Sequence, residues 1–69
     1  MKQTDIVLKH LREFGWITPM VAEERYGIRR LAAVIWKLRH KRGFTILDKL
    51  ETGLNRFGVK TTYSKYYLP

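Results

Sequence analysis

Apolar residues recur at helical spacing in three successive segments of this chain. The first segment carries an apolar stripe at positions i, i+1, i+4 and i+7, formed by Val7, Leu8, Leu11 and Phe14. Thr4 or a neighbour can cap the start of this helix, and Gly15 stands where a left-handed residue commonly ends one. The pattern therefore predicts a first helix that ends at Phe14.

A Thr-Pro pair opens the second predicted helix. Thr18 can accept backbone N–H bonds as the N-cap, and Pro19 suits the first helical position because an N–H there would have no partner anyway. The helix is short, about residues 19–25. Gly27 then provides the positive φ that a tight reversal between two helices requires.

The third segment, residues 29–42, divides into an apolar side and a basic side when residues are placed about 100° apart around a helix. The apolar arc consists of Ile28, Leu31, Ala32, Ile35 and Leu38, with Val34 and Trp36 flanking it. The opposite arc consists of Arg29, Arg30, Ala33, Lys37, His40 and Lys41. Arg39 and Arg42 fall at the border, where they can either pack their stems over the core or touch DNA. Gly43 is predicted to end this helix.

After Gly43 the period changes to two, which predicts a β-hairpin. Residues 44–51 form its first strand and residues 60–68 its second, which is rich in β-prone threonine and tyrosine. The connecting loop, residues 52–58, contains two glycines and an asparagine. Trp16-Ile17 can add a short extra strand. The sequence thus predicts an α+β fold of three helices followed by a two-stranded hairpin, in a single domain over residues 1–69.

Charge singles out the third helix as a functional surface. The chain has 14 Lys and Arg against 6 Asp and Glu, and half of these cations lie between Glu24 and Asp48, where there is no acid. Like charges repel at i,i+4, and arginines at the start of a helix oppose its dipole. Such a face is costly for stability alone, so it favours a polyanionic partner, above all nucleic-acid phosphates. A solvated face that binds nothing is the alternative.

Other chemistry finds little support in the sequence. The absence of cysteine excludes disulfides and thiolate zinc sites. His10 and His40 have no ligand-spaced partner, the acids form no convincing pair, and there is no phosphate-binding loop. We therefore expect no enzymatic activity, no metal, no cofactor and no small-molecule substrate. No stretch approaches a membrane span and residues 1–5 show no signal pattern. We expect an intact cytoplasmic protein, monomeric in solution, with no membrane partner.

The predicted elements match a winged helix-turn-helix: two helices joined by a tight turn, the second one basic, and a hairpin directly after it. The sequence also resembles the small winged helix-turn-helix DNA-binding proteins of tailed phages and prophages, over nearly the whole chain. The resemblance is carried by Ile17-Thr18-Pro19, residues 26–33, Ile35, Leu38, Arg39, Gly43, Tyr63 and residues 66–68. It implies DNA binding in transcriptional regulation or site-specific recombination.

We expect the helix over residues 29–42 to enter the major groove of double-stranded DNA. The candidates for base readout are Arg29, Arg30, Ala33 and Lys37. The candidates for phosphate contact are Thr18, with the start of the second helix, and His40, Lys41 and Arg42. The predicted wing, residues 52–60, would bring Asn55, Arg56 and Lys60 to the backbone or minor groove.

Several of these residues can also be explained by a structural role without a ligand. Ala33 can simply favour the helix, and Arg29 can pair with Glu23 or Glu24. Arg56 can simply be an exposed polar residue at the tip of the hairpin. Trp36 is expected to pack, partly buried, rather than to bind. Two other functions fit the same pattern: a protein–protein module, such as a phage inhibitor of a host protein, whose basic face binds an acidic partner, and a shape-specific binder of unusual duplexes or RNA. On DNA, several copies can bind adjacent sites cooperatively.

Overall fold

The computed structural model describes residues 2–69 and shows three helices and a three-stranded antiparallel sheet. In chain order the elements are α1 (Gln3–Phe14), β1 (Trp16–Ile17), α2 (Pro19–Tyr26), α3 (Leu31–His40), β2 (Leu47–Leu54) and β3 (Lys60–Tyr67). β3 lies between β1 and β2 in the sheet. The predicted α+β winged helix and its short extra strand are confirmed. Met1, part of the predicted domain and N-terminal segment, lies outside the described residues.

Local signals end and begin the first two helices as predicted, with one exception. Gly15 and Gly27 adopt positive φ angles of 83° and 66° directly after α1 and α2. The Thr18 hydroxyl accepts a hydrogen bond from the Val21 N–H at 3.3 Å, which caps α2. The prediction that Thr4 caps α1 is wrong: the helix begins at Gln3, so Thr4 lies inside its first turn, and the N-cap is Lys2 without a side-chain bond.

Helix α3 is two residues shorter at each end than the predicted segment 29–42. Arg29 and Arg30 precede it, and Arg30 occupies the N-cap with φ −116° and ψ 62° and no side-chain capping bond. Arginine offers no acceptor to the free N–H groups, and its charge opposes the helix dipole, so the helical turn starts only at Leu31. At the other end the chain turns at Gly43, and the Phe44 N–H bonds the Leu38 carbonyl at 3.0 Å.

The buried side of α3 differs from the predicted arc. Leu31, Val34, Ile35 and Leu38 are buried, whereas Ala32, which was assigned to the apolar arc, is exposed. The predicted apolar arc is rotated relative to the observed buried side because the prediction counted Ile28 as a helical residue. Ile28 is buried, at 1% exposure, but it enters the core from the turn between α2 and α3. The helix is therefore rotated so that Trp36 faces solvent.

The first strand of the hairpin lies three residues later than the predicted 44–51, with the same length, so the turn that follows it is shorter than predicted. Residues 44–46 are not part of the strand, because the Phe44 N–H and the Ile46 carbonyl are bonded to α3. β3 ends at Tyr67, one residue before the predicted end. β2 extends to Leu54, and Gly53, expected in the loop, pairs with Thr61. Glycine suits this position because the Tyr63 ring lies across it: a Cβ on Gly53 would be 3.2 Å from Tyr63 Cε1. At the other end of the hairpin Tyr66 is buried and joins the core cluster.

Arg39 ties the start of the hairpin to α3. Its Nε donates to the Ile46 carbonyl at 2.8 Å, its Nη2 donates to the same carbonyl, and Nη2 also contacts Asp48 Oδ1 at 3.1 Å. The guanidinium lies 6.0 Å from the centre of the Tyr66 ring. Of the two roles that its place at the edge of the apolar arc allowed, Arg39 therefore has the structural one.

We expect Arg39→Met to lower the free energy of unfolding by about 1–3 kcal/mol, because the Ile46 carbonyl loses a charged donor while an apolar stem remains. Asp48→Asn is the matched control, since it weakens only an exposed ion pair and is expected to cost less than about 1 kcal/mol. Urea unfolding followed by circular dichroism measures both. Equal losses would show that the ion pair, not the bond to Ile46, holds the hairpin.

Candidate nucleic-acid interface

The side of α3 that the core does not use forms a continuous exposed surface, which we call the outer face of α3. It comprises Ala32, Ala33, Trp36, Lys37 and His40. All of these are exposed except Ala33, which is half-buried. The predicted base-reading residues Ala33 and Lys37 therefore lie on one surface, together with His40.

Trp36 contradicts the prediction for this face. It was expected to pack partly buried, but its side chain is 53% exposed. Its ring stacks on His40, with ring centres 4.8 Å apart and planes inclined by 35°. A helical wheel restricted to residues 31–40 would have placed Trp36 opposite the core, so the signal was present once Ile28 was excluded.

Arg29 and Arg30 lie in the turn immediately before α3. Both are exposed, and neither forms an ion pair among residues 2–69, so the proposed pairing of Arg29 with Glu23 or Glu24 is absent there. The first turn of α3 contains no acidic residue. Two unpaired guanidinium groups thus stand at the start of the outer face.

A cationic cleft extends this surface from α3 onto the start of α1. We call it the α1–α3 cleft; its lining residues are Lys2, Gln3, Thr4, Val34, Lys37, Lys41 and Arg42. Lys2 is far from α3 in the sequence and comes close only through packing of α1 against α3. No local pattern could have identified it. The cleft gathers three lysines around Val34, which makes it strongly attractive to an anion.

Arg42, a predicted phosphate contact, is bonded within the protein. Its Nη1 donates to Asp5 Oδ1 at 2.7 Å, and its guanidinium lies 5.6 Å from the centre of the Phe44 ring. This hydrogen bond from Arg42 lowers the pKa of the Asp5 carboxyl. The charge of Arg42 is therefore partly neutralised, unlike those of Lys37 and Lys41, which form no ion pair in the described part of the chain.

Thr18 is placed differently from a phosphate-binding side chain. It is buried, at 7% exposure, and its hydroxyl is already used to cap α2. A contact at this point would depend on the backbone N–H groups at the start of α2 rather than on the hydroxyl.

The wing residues form a tight turn beside α2. Asn55 Oδ1 accepts hydrogen bonds from the N–H groups of Phe57 at 2.9 Å and Val59 at 3.1 Å, so this side chain shapes the turn. Arg56 lies in a groove between α2 and the hairpin, the α2–hairpin groove, lined by Met20, Glu23, Glu24, Leu54, Asn55, Arg56 and Phe57. Lys60 is exposed opposite Leu54 at the base of the turn.

The two histidines differ in environment. His10 is 3% exposed, and its Nδ1 lies 2.7 Å from the Tyr26 hydroxyl, which joins α1 to α2. Burial lowers the pKa of His10.

Across residues 2–69 no group of three or more histidine, cysteine or acidic side chains is arranged to hold a metal ion. Within the same range no helix has the length and apolar character needed to cross a bilayer.

A basic, exposed helix preceded by a tight turn and followed by a hairpin defines a winged helix-turn-helix protein. A family model described as a winged helix-turn-helix domain matches residues 2–69, so the chain belongs to that family. Membership indicates DNA binding. No curated protein and no solved structure gives a significant match to the chain.

We expect the carboxyl of Asp5 to titrate below the ordinary aspartate pKa, and Arg42→Ala to raise its pKa, because the hydrogen bond from Arg42 is the largest cause of the shift. Because the folded pKa is depressed, the contribution of the pair to stability is present above the unfolded pKa and disappears as the pH falls through the folded pKa. Carboxyl-detected NMR titration measures the shift. Arg12→Ala removes another guanidinium near Asp5 that does not bond it and should leave the titration unchanged. An unshifted Asp5 in the wild type would contradict this assignment.

Proposed function

We propose that this protein binds double-stranded DNA sequence-specifically, with the outer face of α3 in the major groove. The observation that carries the proposal is the division of α3: one side is buried in the core, and the other side, with the turn before it, presents unpaired cations and no acid. A major groove about 12 Å wide admits one helix, and its base edges carry a distinct pattern of donors and acceptors.

Base readout is assigned to the start of α3. Arg29 and Arg30 can each donate two hydrogen bonds to guanine O6 and N7. Ala32 and Ala33 have only methyl side chains, so neither of these two residues holds the helix away from the base edges. Lys37, one turn further along the same face, can reach a base or the adjoining phosphate.

Phosphate contacts are assigned to the surfaces on either side of the outer face. His40 and Lys41 continue it toward the end of α3, and Lys2 extends it across the α1–α3 cleft. Arg42 joins these contacts if a phosphate replaces the Asp5 carboxylate. The backbone N–H groups near Thr18 and the wing residues Arg56 and Lys60 complete the proposed footprint. Asn55 supports the wing by holding its turn.

The biological role that we propose is that of a transcriptional regulator or a recombination accessory factor of a phage or prophage, acting in the host cytoplasm. The resemblance to small phage and prophage proteins supports this role. The protein is proposed to act without catalysis, as a monomer that occupies or bends its site, with several copies able to load cooperatively on adjacent sites.

Substitutions should separate the residues that set specificity from those that set affinity. Arg29→Ala or Arg30→Ala is expected to reduce discrimination between a selected duplex and a random one by about 1–3 kcal/mol, because a bidentate contact to guanine is lost. Lys41→Ala should weaken both duplexes alike and reduce the slope of log K against log salt by about one. Fluorescence anisotropy with duplexes enriched from a random pool, measured at several salt concentrations, gives both quantities.

Lys49→Ala is the matched control, since it removes the same charge from β2, where Lys49 lies 3.6 Å from Glu51. It should change neither discrimination nor the salt slope beyond the small effect of net charge. Equal affinity of the wild type for enriched and random duplexes would contradict specific recognition. A loss in Lys49→Ala as large as that in Lys41→Ala would show that the charged face of α3 has no special part in binding.

A further inference from the structure

Trp36 is a large apolar group on a surface that otherwise suits an ionic partner. It lies at the middle of the outer face of α3 with 53% of its surface exposed, although burying an indole is one of the most favourable contributions a small core can gain. The core of this domain does not use it. The tertiary structure gives Trp36 one aromatic neighbour among the described residues, the exposed ring of His40.

The indole lies over the part of α3 that is proposed to face the bases. Side chains on a helix lean toward its N-terminus, so Trp36 covers the turn that contains Ala32 and Ala33, its neighbours at i−4 and i−3. These two residues have only methyl side chains. Trp36 is therefore the largest side chain on the outer face of α3, and a duplex that docks on this face meets the indole.

His40 restricts the orientation of the indole before any ligand binds. The ring centres are 4.8 Å apart and the planes are inclined by 35°, so the imidazole lies against one side of the indole. Trp36 is still 53% exposed. An aromatic side chain ordered in advance loses little conformational entropy on binding. This arrangement favours an edge contact over the stacking of an unpaired base between two free aromatic surfaces.

The major groove offers one apolar group on the base edges, the C5-methyl group of thymine. Indole has a single donor and no acceptor, so it cannot read the guanine and adenine pattern as arginine or asparagine does. Its apolar edge, flanked by Lys37 and preceded by Arg29 and Arg30, matches a thymine next to phosphates and guanines. We propose that Trp36 is a specificity-determining residue that selects thymine through its methyl group, an inference that rests on the proposed binding of duplex DNA.

Uracil substitution tests this contact directly, because uracil pairs like thymine and lacks only the methyl group. Each thymine of an enriched duplex is replaced by uracil in turn, and affinities are measured for the wild type, Trp36→Ala, Trp36→Phe and Leu50→Ala. One position should weaken wild-type binding about fourfold on losing its methyl group. In Trp36→Ala the effect at that position should vanish, while Trp36→Phe should retain part of it. Leu50→Ala, which removes an exposed apolar group from β2, should keep the full uracil profile.

Trp36 is exposed, so its substitution should leave the fold intact, and thermal unfolding of each variant verifies this. If Trp36→Ala retains the sensitivity to uracil at every position, or if no position is sensitive in the wild type, the thymine contact is wrong although DNA binding stands. Uniformly weaker binding of Trp36→Ala to all duplexes, with an unchanged uracil profile, would assign Trp36 a general packing contact and would likewise overturn its part in specificity. If the wild type enriches no duplex from the random pool, the proposed function fails, and the thymine contact fails with it.

Discussion

The burial of one side of α3 is the constraint on which the rest of this structure depends. Leu31, Ile35 and Leu38 are almost completely buried, and the side chains that surround them come from α1, the sheet and the turn before α3. Truncating any one of the three would leave a cavity in a small core, at a cost of about 2–5 kcal/mol. Because successive helical residues are about 100° apart, this burial leaves little freedom in the rotation of α3. It therefore decides that Trp36, Lys37 and His40 face outward.

The acid-free stretch between Glu24 and Asp48 has two physical functions rather than one. Arg39 and Arg42 are bonded to acids that lie outside the stretch, Asp48 and Asp5, and these contacts attach α3 to the hairpin and to α1. Its other cations form no ion pair within residues 2–69; they are Arg25, Arg29, Arg30, Lys37 and Lys41. The unpaired charges at the start and along the outside of α3 are the ones that remain for an anionic partner.

Much of the fold could be predicted from the sequence because its signals are local. Gly15, Gly27 and Thr18 act through their own backbone or hydroxyl within a few residues, and the change of period after Gly43 marks the hairpin. The start of α3 was harder to predict. Ile28 lies in the preceding turn and is not helical, yet it continues the helical spacing of apolar residues. Because Ile28 was counted as helical, Ala32 was predicted on the buried side and the exposure of Trp36 was not predicted.

The candidate site was only partly predictable for a different reason. The cations on and before α3 lie close together in the sequence, so their clustering could be foreseen. The approach of Lys2 to Lys37 and Lys41, and that of Arg56 to Glu23 and Glu24, depends on packing between distant segments. The turn function of Asn55 likewise depends on how the strands pair, since the pairing of residues 52–54 with residues 60–62 leaves only a short turn to close.

NMR chemical-shift mapping with an enriched duplex tests the central claim, that DNA binds on the outer face of α3. Trp16 and Trp36 provide two indole N–H signals from different surfaces, the sheet and α3. We expect the Trp36 indole signal and the backbone amides of residues 29–41 to shift on titration, while the Trp16 indole signal stays in place. Shifts confined to the α2–hairpin groove, or to Trp16 and the sheet around it, would contradict it.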